Sequence, residues 1–133
     1  MTSTFTWPVR VYYEDTDAGG VVYYANYLKF YERARTEMLR ALDFHQDQLI
    51  AERQIIFVVR SVQVEYLIPA RFNEQLQISA DIGLLKSASM VFEQKIMRDQ
   101  DLLSTATVRI GCLDSETMRP KKIPENLLLT LRQ

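Results

Sequence analysis

One long amphipathic helical pattern near the start, four strand-like stretches after it, and short turns between those strands predict an α+β fold. The sheet is expected to be antiparallel, with about five strands, and to bury the helix. From Phe5 to Tyr13 the odd positions Phe5, Trp7, Val9, Val11 and Tyr13 are apolar, the period of a half-buried strand. An acidic, glycine-containing turn follows, and then Asn26, a residue type that caps helices. Beyond it Tyr27, Phe30, Tyr31, Ala34, Met38 and Ala41 form one stripe, while Lys29, Glu32, Arg33, Thr36, Glu37 and Arg40 form the other face. Leu28, Leu39 and Leu42 widen the apolar side, so this helix is expected to lie deep against the sheet; its run to Leu42 spans about 25 Å. Arg33 and Glu37 stand at i, i+4 on its polar face.

A shorter helix is predicted from Gln46 to Arg53. Val58, Val62, Val64 and Tyr66 then share a face against Ser61, Gln63 and Glu65, and Pro69 ends that strand. Leu76, Ile78, Ala80 and Ile82 alternate with Gln75, Gln77, Ser79 and Asp81. Two further strands cover Ser89 to Arg98 and Leu102 to Leu113, joined by the turn-prone Arg98-Asp99-Gln100-Asp101. Pro120 to Pro124 reads as a stiff connector, and Glu125 to Leu131 as a short helix.

At 133 residues the chain is read as a single domain, 1–133, able to bury a core yet small for enclosing a whole active site alone. A homo-oligomer is therefore expected. The formal net charge of -1 draws the chain to neither nucleic acid nor an anionic membrane surface. The one cysteine, Cys112, excludes an intrachain disulfide framework, fits a reducing cytoplasm, and sits in an alternating strand where it behaves as a small apolar residue. The run Met1 to Pro8 lacks the character of a secretory signal, and apolar runs such as Ile55 to Val59 are too short to span a bilayer. The expected location is the cytoplasm, with any approach to the inner membrane made through partners.

The stretch from Tyr12 to Tyr27 carries the chemistry. Gly19 and Gly20 let backbone come close to a ligand, a helix start offers N–H groups to an oxygen, and a carboxylate of the turn can act as base or nucleophile. Taken alone, such a turn more often only satisfies its own amides, and the Tyr27, Phe30, Tyr31 stripe is more often core than pocket. Other site chemistries fare worse. A serine hydrolase lacks the G-x-S-x-G elbow, and His45 is the only histidine, placed in a loop or capping position after the helix. One cysteine and one histidine do not make a zinc site. Asp15-Thr16-Asp17-Ala18-Gly19-Gly20 imitates the opening of an EF-hand loop, but Asn26 stands where its bidentate glutamate belongs. No metal and no cofactor are expected.

The run Val9 to Tyr23, with Ala25-Asn26-Tyr27 and Phe30-Tyr31-Glu32-Arg33-Ala34-Arg35-Thr36-Glu37, closely resembles the hot-dog-fold acyl-CoA thioesterases. Within them it is most similar to the Tol-Pal-associated, YbgC-like subfamily, related to 4-hydroxybenzoyl-CoA thioesterase. Phe57-Val58-Val59-Arg60, Val64-Glu65-Tyr66, Pro69-Ala70-Arg71 and Pro120 to Pro124 extend the likeness over nearly the whole chain. The resemblance implies a sheet wrapped around a long central helix, dimers that join sheets and can pair again into tetramers, and active sites at the subunit interface. It also implies that Asp17 is the catalytic carboxylate, as nucleophile or as general base, and that the backbone N–H of Tyr24 bonds the thioester oxygen at the helix start.

Many members of the Tol-Pal subfamily carry histidine at the position of Tyr24, whereas the hydroxybenzoyl branch has tyrosine. A backbone donor survives that exchange. Short aliphatic acyl-CoA is the substrate the subfamily resemblance favours, with aromatic acyl-CoA as the alternative. Lys86 and Ser87 align with a family segment near the CoA phosphates, and Arg60, Arg71 and Lys121 are further cations for them. A rival reading is a non-catalytic module binding acyl-CoA, acyl carrier protein or an envelope-associated partner.

Overall fold

The structure, a computed structural model, describes residues 4–132; Met1 to Ser3, part of the segment read for a secretory signal, lie outside the described residues. Its elements are β1 (Phe5–Arg10), α1 (Asn26–Ala41), α2 (Gln46–Arg53), β2 (Ile55–Tyr66), β3 (Gln75–Leu85), β4 (Ser89–Arg98), β5 (Asp101–Asp114) and α3 (Glu125–Leu131). The five strands form one sheet in the order β1-β3-β4-β5-β2, with every neighbouring pair antiparallel. The predicted class and strand number hold. Among the described residues, no helix is long and apolar enough to cross a membrane.

The core lies between α1 and one face of the sheet. Tyr27, Phe30, Tyr31, Ala34, Met38 and Leu39 of α1 meet Ile78, Phe92, Ile96, Val108 and Ile110 from the strands, all buried. Two positions assigned to the apolar side, Leu28 and Ala41, are exposed instead. Among the described residues every buried side-chain nitrogen and oxygen is paired, as a low-dielectric interior demands. The Tyr31 hydroxyl donates to Ser104 Oγ at 2.7 Å, and Ser104 Oγ donates to the Glu65 carbonyl at 2.8 Å. Gln94 Nε2 donates to the carbonyls of Tyr31 and Ser79, at 3.0 and 3.1 Å, and so ties helix to sheet. Glu37 pairs with Arg40 rather than with Arg33, whose guanidinium lies 5.8 Å from the centre of the Phe30 ring.

Strand β1 ends earlier than its alternation suggested. Tyr13 opens a single 3-10 turn, Tyr13–Asp15, and is 79% exposed, because the chain must leave the sheet to build the acidic turn. Strand β2 carries a second correction. Its pairing with β5 slips between Val59 and Ser61, so Arg60 is an extra residue in the ladder. Side chains opposite one another lie on the same face, and Val59 and Val62 face the buried Ile110 and Val108. Val58 pairs with Gly111 on the other face and does not join Val62. A bulge inverts a strand's facing from that point onward.

The two shorter helices lie where the sequence placed them, Gln46–Arg53 and Glu125–Leu131. The turn between β4 and β5 has Asp99 at φ 53°, and Arg98 bridges Glu74 and Asp101 across it at 3.0 and 3.1 Å. Cys112 is 1% exposed on β5, and burial pushes its thiol up to about 11. The folded protein is therefore expected to leave 5,5'-dithiobis(2-nitrobenzoate) unreacted at pH 8, with one thiol released in denaturant. Rapid reaction of the native protein would show that the β5 face opens.

Candidate active site

The turn after β1 is held by its own short side chains. Asp15 Oδ2 accepts the Tyr12 N–H at 2.8 Å, while the Asp15 carbonyl accepts the N–H of Tyr23 and Nδ2 of Asn26, both at 2.9 Å. Asp15, half-buried, thus ties the strand end, the turn and the helix start together. Asn26 is not the helix cap that sequence suggested; Ala25 occupies that position and Asn26 is the first helical residue. Its side chain instead reaches back eleven positions and locks the helix start to the acidic turn. Val22 donates its N–H to the Ala70 carbonyl at 2.8 Å and Val21 bridges Arg71, so the turn is also pinned to the connection between β2 and β3.

Asp17 stands at the exposed tip. Its N–H donates to the Val21 carbonyl at 2.9 Å, and its Oδ1 accepts the Gly19 N–H at 2.8 Å. A Cβ at Gly19 would sit 3.3 Å from that same Oδ1, and Gly20 takes φ +82°, the left-handed region. Gly20 is thus favoured by its backbone conformation, and Gly19 by the close approach of the carboxylate that the loop presents. Oδ2 accepts no hydrogen bond from the described residues, so one carboxylate oxygen shapes the turn while the other is available.

The helix start lies on the same folded-back segment. The Tyr23 carbonyl accepts the Asn26 N–H at 2.9 Å, which orients the peptide that carries the Tyr24 N–H. That N–H donates to no acceptor among the described residues. Beside it Val22, Tyr24, Tyr27, Tyr66, Leu67 and Ile68 line a cleft of about 200 Å³. Tyr66, read from sequence only as a strand residue, was missed as a site residue; its place just before the Leu67-Ile68-Pro69 strand exit was the available signal. Burial raises the pKa of Tyr27 and of Tyr66, so both phenols are neutral donors or acceptors near neutral pH.

The predicted cations fall elsewhere. Arg60, at the bulge, and Lys86 line a second cleft, of about 280 Å³, with Arg109 and Ser89. This cleft lies on the sheet face opposite α1, where Arg60 lays its alkyl chain over Gly111; a Cβ there would meet Arg60 Cδ at 3.1 Å. Ser87 does not line it, and its carbonyl accepts the Ile123 N–H at 2.8 Å, anchoring the connector before α3. Arg71 sits beside the acidic turn through its bridge to Val21, and Lys121 donates to the Arg53 carbonyl at 2.7 Å. Arg109 was not singled out in sequence because it is one polar residue in a regular alternation. Arg60 stands at the middle of β2, about 20 Å along the strand from Tyr66, so within one chain the cationic cleft is half a strand away from the cleft beside Tyr24.

Residues 11–131 match the thioesterase-like superfamily. The chain belongs to that family. It is 50% identical over 133 residues to the acyl-CoA thioester hydrolase YbgC of Shigella flexneri, covering 99% of this chain and 98% of that one. It is 47% identical over 127 residues to the acyl-CoA thioesterase YbgC of Haemophilus influenzae, covering 96% and 93%. A probable thioesterase from Bartonella henselae superposes with a TM-score of 0.88 at 35% identity, over 92% of this chain and all of that one. A 1,4-dihydroxy-2-naphthoyl-CoA thioesterase from Synechocystis, at 20% identity and a TM-score of 0.91 over 98% and 97% of the two chains, shares the fold. The five-stranded sheet around α1 is thus the hot-dog fold of a thioester hydrolase, as the resemblance implied.

Proposed function

We propose that this protein hydrolyses acyl-CoA to free acid and CoA, with short aliphatic acyl groups favoured. The observation that carries the reading is Asp17 with its unbonded Oδ2, held in the same folded turn as the unpartnered N–H of Tyr24. The family relatives' named activity, acyl-CoA thioester hydrolysis, supplies the chemistry that such an arrangement serves. The Tyr24 N–H bonds the thioester oxygen, and the first turn of α1 adds the positive end of its dipole as negative charge develops. Asp17 either attacks the carbonyl, expelling CoA thiolate and leaving an anhydride that water cleaves, or takes the proton of an attacking water. A thiolate leaves without strong acid assistance, so neither route needs a catalytic histidine.

The acyl group is assigned to the cleft beside Tyr24. At about 200 Å³ it is smaller than the ~300–1,000 Å³ pockets that enclose larger ligands, which favours a short chain. Its three tyrosine rings support aromatic acyl-CoA as the second reading. The CoA phosphates are assigned to Arg60 and Lys86, with Ser87 on the same connection. Their separation from Asp17 is met by a homodimer. Strand β2 is a sheet edge, with Val59 and Val62 exposed on it, and antiparallel pairing of two such edges brings the mid-strand Arg60 of one copy towards the Tyr66 half of its partner's β2. Further pairing to a tetramer, a cytoplasmic location and contacts with acyl carrier protein or envelope-associated proteins belong to the same proposal.

A thiol-release assay over acyl-CoAs of graded length and aromaticity tests it, and the buried Cys112 keeps the protein's own background low. Highest kcat/KM is expected for short aliphatic chains. A maximum at benzoyl-type substrates would favour the aromatic reading, and absence of release with acyl-CoA binding intact would favour a binding module.

A further inference from the structure

We infer that Tyr66 is a positioning residue, whose hydroxyl clamps the Tyr24–Ala25 peptide and so aims the Ala25 N–H as a second donor to the oxyanion beside that of Tyr24; this rests on the thioesterase reading above. The Tyr66 hydroxyl donates to the Tyr24 carbonyl at 3.1 Å. The only other bond to that carbonyl among the described residues is the Tyr27 N–H at 3.3 Å, long for a backbone bond. The first turn of α1 therefore depends on a side chain from the end of β2.

A peptide group is planar, so the carbonyl of Tyr24 and the N–H of Ala25 point in opposite directions within one rigid unit. Clamping the carbonyl aims the N–H. The Ala25 N–H, like that of Tyr24, donates to no acceptor among the described residues. The neighbouring peptide is held by backbone, through the Asn26 N–H on the Tyr23 carbonyl. Two successive free amides thus have anchored carbonyls, one fixed locally and one fixed by Tyr66.

The clamp is itself held by packing. The Tyr66 ring lies 5.1 Å from that of Tyr27 at 39° and 6.2 Å from that of Tyr24 at 87°. Tyr27 is buried, with its hydroxyl accepting the Ala70 N–H at 3.0 Å, so it cannot swing away. An oxyanion donor acts through preorganisation, and its aim matters more in the transition state than in the ground state.

Tyr66→Phe keeps the ring and removes the clamp. We expect kcat to fall about three- to tenfold, the worth of one net hydrogen bond, with KM unchanged. Tyr66→Leu, which also removes the cleft wall, should raise KM as well. In both proteins the Ala25 amide resonance is followed by ¹⁵N NMR, and loss of the bond to its peptide carbonyl should shift it. Wild-type kcat in Tyr66→Phe, or a rise in KM alone, would overturn the inference while leaving the thioesterase reading intact. If the wild-type protein releases no CoA from any substrate, the thioesterase reading fails instead, and the Ala25 resonance decides the clamp: a shift supports it and an unmoved signal overturns it.

Discussion

Asp17→Asn is expected to lower kcat/KM for acyl-CoA hydrolysis by about a hundred- to ten-thousandfold, the range associated with losing a positioned base or nucleophile. The substitution is nearly isosteric. An asparagine side-chain oxygen can still accept the Gly19 N–H that Asp17 Oδ1 accepts at 2.8 Å, so the turn should keep its shape. What disappears is the charge on the oxygen that bonds nothing in the described chain. The measurement is thiol release under steady-state conditions, run beside a thermal melt and a size-exclusion profile of the variant. Turnover near the wild-type rate, in a folded variant of unchanged oligomeric state, would remove Asp17 from the mechanism. Asp15 is the less accessible carboxylate, half-buried where Asp17 is exposed, with Oδ2 on the Tyr12 N–H and its carbonyl on Tyr23 and Asn26; Asp15→Asn is the matching control, expected to cost less turnover than Asp17→Asn.

Phe30→Ala is expected to destabilise the fold by about 3–5 kcal/mol. Phe30 is 0% exposed at the middle of the buried stripe of α1, stacked 6.3 Å from the Tyr27 ring. Truncation removes its transfer free energy and leaves a hole that a rigid antiparallel sheet on the other side cannot close. Alanine's better helix propensity returns only about half a kcal/mol. Against a total stability of about 5–15 kcal/mol, the loss should show as a fall of roughly 10–20 °C in the melting midpoint. Denaturant unfolding checks the magnitude, and Leu28→Ala, on the exposed side of the same helix, is the control with little expected change in the isolated subunit. A cost below about 1 kcal/mol for Phe30→Ala would mean that α1 is not the packed centre of the fold.

The chemistry of the acidic turn was more legible in sequence than its architecture. The turn itself could be singled out because its constraints act within a few residues, a carboxylate accepting the amide two positions on and a left-handed glycine, whereas the choice of Asp17 over Asp15 came from the family resemblance. The mutual arrangement of Asn26, Tyr66 and Tyr24 could not, because it rests on bonds between positions 11 and 42 residues apart. Arg60 and Lys86 share a cleft as cations gathered from two strands, whereas Ser87 is turned to a backbone task by the chain that packs over it.

By itself the sequence determined the α+β class, most of the buried side of α1, the limits of α2 and α3 and the approximate course of the strands. These follow from local periodicity and turn chemistry, which a single stretch of chain carries alone. Tertiary structure decided the rest. Pairing with β5 made Arg60 a bulge and exchanged Val58 for Val59 on the inner face. Return of the chain across the end of β2 joined the acidic turn to Ala70 and put Tyr66 over the helix start. Strand order left β2 at an edge, with Arg60 at its middle and Tyr66 at its end, half a strand apart. Register and edge position are properties of strand pairs, and only the assembled sheet fixes them.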